Sequence, residues 1–202
     1  MTGVDGQAAA TAAMQREPWT SKVLGWGFHL LCLVFAVGLL WESSSPGTTA
    51  TRYLLFALLA LMAGIWSIWV VVGLVRQRRL RWWMAVAPVG GLLVAGLVMT
   101  NVPLQLRWAG SESAFTEALA SPDFGRAGDE NGYLSPPEQV GTFQIIGFSR
   151  DATGAQFEDA SSFCGSSGFA YRPDRDPWII GGKAATTWVD LGDAWFAFEV
   201  PC

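Results

Sequence analysis

His29 is the only histidine in the chain, and it falls inside an apolar run. An imidazole placed there could relay protons or hold a ligand, because an ionisable group within a membrane segment is a functional candidate by default. No carboxylate lies in any apolar run to partner it, so a neutral imidazole bonded to a neighbouring helix is the simpler expectation. Asp174-Arg-Asp176 is a D-x-D pair that could hold a divalent cation, but Pro173 and Pro177 flank it and a solvated loop explains it as well. Asp129-Glu-Asn131-Gly132 opens like a calcium loop, then puts Tyr133 where an oxygen ligand is needed. Gly181-Gly-Lys183 lacks the rest of a phosphate loop. Residues 103–202 contain no histidine, which removes Ser-His-Asp and Cys-His nucleophile systems and the commonest zinc ligand from that half. The many acids there leave a carboxylate-based hydrolase open, although most read as surface charge. Trp178, Trp188 and Trp195 could stack on sugars if exposed; core packing is the better expectation for each. Neither metal nor cofactor is expected.

Three long runs must position these groups. Val23–Trp41, Tyr53–Val75 and Trp82–Met99 contain no Asp, Glu, Lys or Arg. A bilayer core needs about 20 apolar helical residues to cross it. The expected layout is a disordered cytoplasmic arm (1–21), a three-helix transmembrane region (22–102, with spans 23–41, 53–75 and 82–99) and an extracytoplasmic domain (103–202). Charge divides the same way: residues 1–102 sum to +4 and residues 103–202 to −8. The basic half suits anionic headgroups, and the acidic half is a poor partner for nucleic acid.

Orientation follows from Arg76, Arg78, Arg79 and Arg81, which sit between the second and third runs. Short loops rich in Lys and Arg stay cytoplasmic. Each such charge near an anionic leaflet is worth about 1 kcal/mol, so these four are topology anchors. The N-terminus is then inside and the C-terminal half outside. The first run is longer than a signal-peptide core and no A-x-A site follows it, so it is expected to remain as a helix. Trp26, Trp41, Tyr53, Trp82, Trp83 and Trp108 suit the headgroup zone, whereas Trp66 and Trp69 are expected between helices. Ala60-x-x-x-Gly64 and the ladder Ala87, Gly91, Ala95 allow close helix approach, read first as packing within one bundle and second as a homo-oligomer face. Pro88 is a candidate kink.

In the outer half, Ser111 is the expected N-cap of a short helix whose apolar face carries Phe115, Ala118 and Leu119. Residues 121–141, rich in Pro, Gly, Asp and Asn, read as loop. Strands are expected over Thr142–Ser149, Ala155–Asp159, Gly168–Tyr171, Thr186–Leu191 and Ala194–Val200, with Gly192-Asp193 as a hairpin turn. In the last strand Phe196, Phe198 and Val200 should face one way, Trp195 and Ala197 the other. The fold class is therefore membrane α-helical with a small α+β domain, an antiparallel sheet plus one short helix. So small a core is marginal. A Cys164–Cys202 disulfide, suited to an outer compartment, would add about 3–4 kcal/mol; Cys32 should stay apart.

Four stretches, Arg81-Trp-Trp-Met84, Leu104-Gln-Leu-Arg-Trp-Ala-Gly-Ser-Glu-Ser-Ala-Phe-Thr116, Gly168-Phe-Ala-Tyr-Arg-Pro-Asp174 and Leu191-Gly-Asp-Ala-Trp-Phe-Ala-Phe198, give the chain its one resemblance. It resembles a group of uncharacterised integral membrane proteins of actinobacteria from Lys22 onward. The resemblance implies a bacterial plasma membrane and brings no catalytic residues. The expected function is a non-enzymatic, membrane-anchored binding or accessory module with the lipid bilayer and an envelope protein as partners. The alternative is a cell-envelope hydrolase.

Overall fold

The computed structural model describes residues 19–77, 86–125, 132–150, 152–161, 165–174, 179–180, 183–184 and 187–200. Long, predominantly apolar stretches form α1 (Trp19–Glu42), α2 (Ala50–Gln77) and α3 (Val86–Met99). α1 starts at Trp19, ahead of the expected Val23 and inside the arm read as disordered. Its tryptophan, serine and lysine are compatible with helix, and nothing before Val23 breaks the turn. α1 and α2 pack together, with Leu55 3.5 Å from where a Cβ on Gly38 would lie.

At Gly64 and Gly91 the expected small-residue ladders do not approach a neighbouring helix. A Cβ added at Gly64 or Gly91 would meet nothing within 4 Å. Trp69 is 53% exposed rather than packed between helices, and Trp66 is half-buried. Leu54, Phe56, Leu61, Ile68 and Val71 of α2 and Leu92 and Leu93 of α3 are likewise exposed. Among the described residues, Ala50–Val72 is long and apolar enough to cross a membrane, with mean hydropathy 2.4. α3 and α4 (Val102–Ala109) pass the same test as a pair bent by 57°. The apolar stretch Trp26–Glu42 of α1 is shorter. Among the described residues, one such helix is thus present, or two if the bent pair forms one span.

The sharp bend between α3 and α4 lies at Asn101. Asn101 takes the left-handed conformation (φ 54°), which Asn tolerates better than most residues, and Pro103 sits in the first turn of α4, where its missing N–H costs nothing. Pro88 falls in the first turn of the described part of α3.

α4 and α5 (Glu112–Ala120) lead into a sheet of six antiparallel strands in the order β1-β2-β3-β4-β8-β7. These are β1 (Tyr133–Val140), β2 (Phe143–Arg150), β3 (Ala155–Asp159), β4 (Ser166–Tyr171), β7 (Thr187–Gly192) and β8 (Trp195–Val200). Ile179–Ile180 (β5) and Lys183–Ala184 (β6) pair separately. Two expectations are corrected here. The described part of the domain has two short helices rather than the one expected, because Val102–Ala109 is a helix and not simply the exit from the third run. Residues 133–140 are a strand and not loop. Ser135-Pro136-Pro137 disguised that strand, but it lies on the sheet edge and its register skips from Tyr133↔Gly147 to Glu138↔Ile145, so the prolines need donate nothing.

The hairpin turn is also one residue later than expected. Gly192 pairs with Trp195, leaving Asp193 and Ala194 as the turn, with φ of 47° and 68°. Positive φ at both central residues matches the twist of the flanking strands.

α4 and α5 cover one sheet face. Phe115 is fully buried there, with ring centroids 4.9–5.9 Å from Trp108, Phe143, Phe157, Phe169 and Trp195. Ala170, Phe198 and Val200 are buried on the opposite face, beside Trp188. The alternation expected of the last strand is present, and Trp195 is a core residue.

Candidate functional site

The densest polar constellation joins the α1–α2 loop to one end of the sheet. Arg107 ends α4, and its guanidinium reaches two segments at once. Nε donates to Thr142 Oγ1 at 3.1 Å and Nη2 to the Thr142 carbonyl, at the β1–β2 turn. Nη1 donates to Ser45 Oγ at 3.1 Å and Ser44 Oγ at 3.3 Å, in the α1–α2 loop. Its Cζ lies 4.2 Å from the Phe143 ring centroid and 5.6 Å from that of Trp41, so the cation is held against two aromatic faces. Only a planar fork with several donors can do this; a lysine could not.

Ser111 holds the N-cap position of α5, as expected, and is fully buried, but its side chain makes no capping hydrogen bond. Its Oγ accepts the Thr142 N–H at 3.2 Å and lies 2.9 Å from Thr142 Oγ1. The hydroxyl fixes the turn beneath Arg107 instead of bonding its own helix. Gly141 in that turn has φ 59°, and a Cβ there would lie 2.6 Å from Ser111 Cβ.

Glu199 of β8 makes the second attachment. Its Oε1 accepts both the Thr48 N–H, at 3.1 Å, and the Thr48 hydroxyl. Glu42, at the end of α1, accepts the Thr49 hydroxyl at 2.7 Å. Ser43 and Ser44 are buried and return their hydroxyls to the Leu39 and Trp41 carbonyls. The loop is therefore an ordered polar junction.

Asp159, at the end of β3, is buried beside this junction. Burial pushes its carboxyl above the ordinary range, opposed by the Ser161 hydroxyl and the charge of Arg107. Burial likewise pulls the Arg107 guanidinium down, and Asp159 offsets part of that. A charge removed from water disfavours its own ionisation unless a partner compensates, and here each group partly compensates the other.

Few of the residues singled out by sequence are among the described residues. His29 is half-buried on α1, edge-on to Phe28 at 5.9 Å. Asp174 forms a two-pronged ion pair with Arg172, Nε to Oδ1 at 3.0 Å and Nη2 to Oδ2 at 2.9 Å, so it clamps a buried arginine. Asp176, Arg78, Arg79, Arg81, Cys164, Cys202, Trp178 and Asp129–Asn131 lie outside the described residues. Arg76 lies in the last turn of α2, its side chain outside the description. Cys32 is a free thiol. Among the described residues, no group of three His, Cys, Asp or Glu side chains is placed to hold a metal ion.

Sequence reasoning missed Arg107, Glu199 and Asp159. Two signals were there to read. Arg107 is the first basic residue after the third apolar run, and Glu199 is the only charge in the apolar strand Trp195–Val200. No family model, curated protein or solved structure matches the chain.

Proposed function

We propose that the chain is a multi-pass protein of a bacterial plasma membrane, of the actinobacterial kind it resembles. On this reading it crosses three times, over 23–41, 53–75 and 82–99, with its N-terminus cytoplasmic. Its sheet domain sits outside as a binding or accessory module, not an enzyme, and meets an envelope protein there. The observation that carries this reading is the bonding of the α1–α2 loop to the sheet domain through Thr48–Glu199 and Arg107–Ser44/Ser45. If α1 and α2 cross, that loop and the domain must share one side. The arginine-rich segment after α2 then falls on the other, where the positive-inside rule puts it.

The open glycines of α2 and α3 and the exposed apolar side chains around them suit lipid or a second copy of the chain. The carboxylates support a binding role over hydrolysis. Glu42, Asp159, Asp174 and Glu199 are engaged by Thr49, Ser161, Arg172 and Thr48 respectively, each in a contact that holds the fold. A reporter enzyme that functions only outside the cytoplasm, fused after Cys202, should be active. An active cytoplasm-only reporter at the same place would end the reading.

A further inference from the structure

Among the described residues, the sheet domain and the apolar helices share no buried core cluster: the buried core residues of the domain come from α4, α5 or the strands, and none from α1, α2 or α3. One covalent path joins the two parts, through Thr100 and Asn101, where the chain bends by 57° in a left-handed residue. The remaining described attachments centre on a single loop: Arg107 to Ser44 and Ser45, with Trp41 beside it, and Glu199 to Thr48.

We propose that residues 43–49 form a releasable strap that sets the orientation of the sheet domain about a hinge at Asn101. A packed apolar core resists gradual release, because its contacts cannot be exchanged for water without a large cost. Part-buried polar contacts such as these are exchanged at a smaller cost, since water can replace each partner once the loop lifts. The strap is therefore the joint that yields first, while the sheet stays folded. Its two fastenings lie on different elements, α4 and β8, but converge on one short loop. Each fastening restrains the loop for the other, so loss of one loosens both. Asp159, Glu42 and Glu199 are the acids around Arg107 and the loop, and none bonds Arg107 directly among the described contacts; the fastening on that side is guanidinium to hydroxyl and carbonyl. The inference goes beyond the proposed topology and does not depend on the number of spans.

Amide hydrogen exchange of the full chain in detergent micelles tests it, read at Thr48. None of the described hydrogen bonds joins Arg107 to Thr48, so Arg107→Ala leaves the Thr48–Glu199 bond chemically intact. The strap predicts that Thr48 nonetheless exchanges at least about tenfold faster in Arg107→Ala, and also in Glu199→Ala, while Phe169 and Ala197 in the central strands keep their protection. Unchanged Thr48 exchange in Arg107→Ala overturns the proposal, since the two contacts would then be independent. If Arg107→Ala also opens the central strands, Arg107→Lys takes its place: it keeps the cation over Phe143 but cannot fork between Thr142 and the serines. Faster Thr48 exchange in that variant supports the strap, and unchanged exchange overturns it.

Discussion

Replacing Phe115 by alanine should nearly abolish the stability of the sheet domain. The ring is fully buried and lies within 6 Å, centroid to centroid, of five other aromatic rings. Phe→Ala in a core typically costs about 3–5 kcal/mol, the transfer of the ring plus the cavity it leaves. The surrounding rings belong to α4 and to four different strands, so the site cannot collapse without moving several elements, and about 4 kcal/mol or more is expected. A domain's entire stability is of order 5–15 kcal/mol, and a core this small lies toward the lower end. Hydrogen exchange at Phe169 and Ala197, under conditions where exchange follows global opening, reads the change directly. About 4 kcal/mol corresponds to roughly a thousandfold loss of protection. Phe115→Leu, which keeps most of the volume, should lose only about tenfold. Less than about a tenfold loss for the alanine variant would refute the picture of α5 as the lid of the aromatic core.

Two further outcomes follow from the same structure. Asp159 has its pKa raised by burial, so its charge opposes folding. Below the unfolded-state value both states hold the proton and the penalty is absent; as pH rises from there through the raised native value the penalty grows, then levels. Stability should therefore fall with rising pH across that window, and Asp159→Asn should flatten the dependence and raise the denaturation midpoint at neutral pH. A wild-type profile that rises there would contradict the assignment. Ser166 pairs with Val200, and Cys164 and Cys202 lie two residues further out along the sequence on either side. Thiol labelling of the denatured chain without reductant should find Cys32 alone, and all three cysteines after reduction; three reactive thiols without reductant would end the disulfide expectation.

Most of the strands could be read from their residues because burial in a sheet imposes a period of two. Phe143, Ile145 and the alternating β8 side chains carry that period openly. β1 could not be read, since Ser135-Pro136-Pro137 looks like a turn until an edge position removes the need for N–H donors. α4 was hidden for a similar reason: Pro103 suggests a break, yet at the first turn it starts a helix. The junction was the least visible feature. Arg107, Thr48 and Glu199 are far apart in the chain, and nothing in local spacing reports a contact that only the assembled fold creates. At Gly64 and Gly91 the small-residue ladders announce a close approach without naming the partner.

The central claim is that the α1–α2 loop and the sheet domain lie together outside the cell, opposite the arginine-rich segment. Single cysteines at Ala50, at Asp193 in the β7–β8 turn and at Gln77 at the end of α2 report this directly. A membrane-impermeant maleimide applied to intact cells should label Ala50→Cys and Asp193→Cys above the parent chain and reach Gln77→Cys only after lysis. Labelling of Gln77→Cys in intact cells, or of Ala50→Cys and Asp193→Cys from opposite sides, would contradict the account.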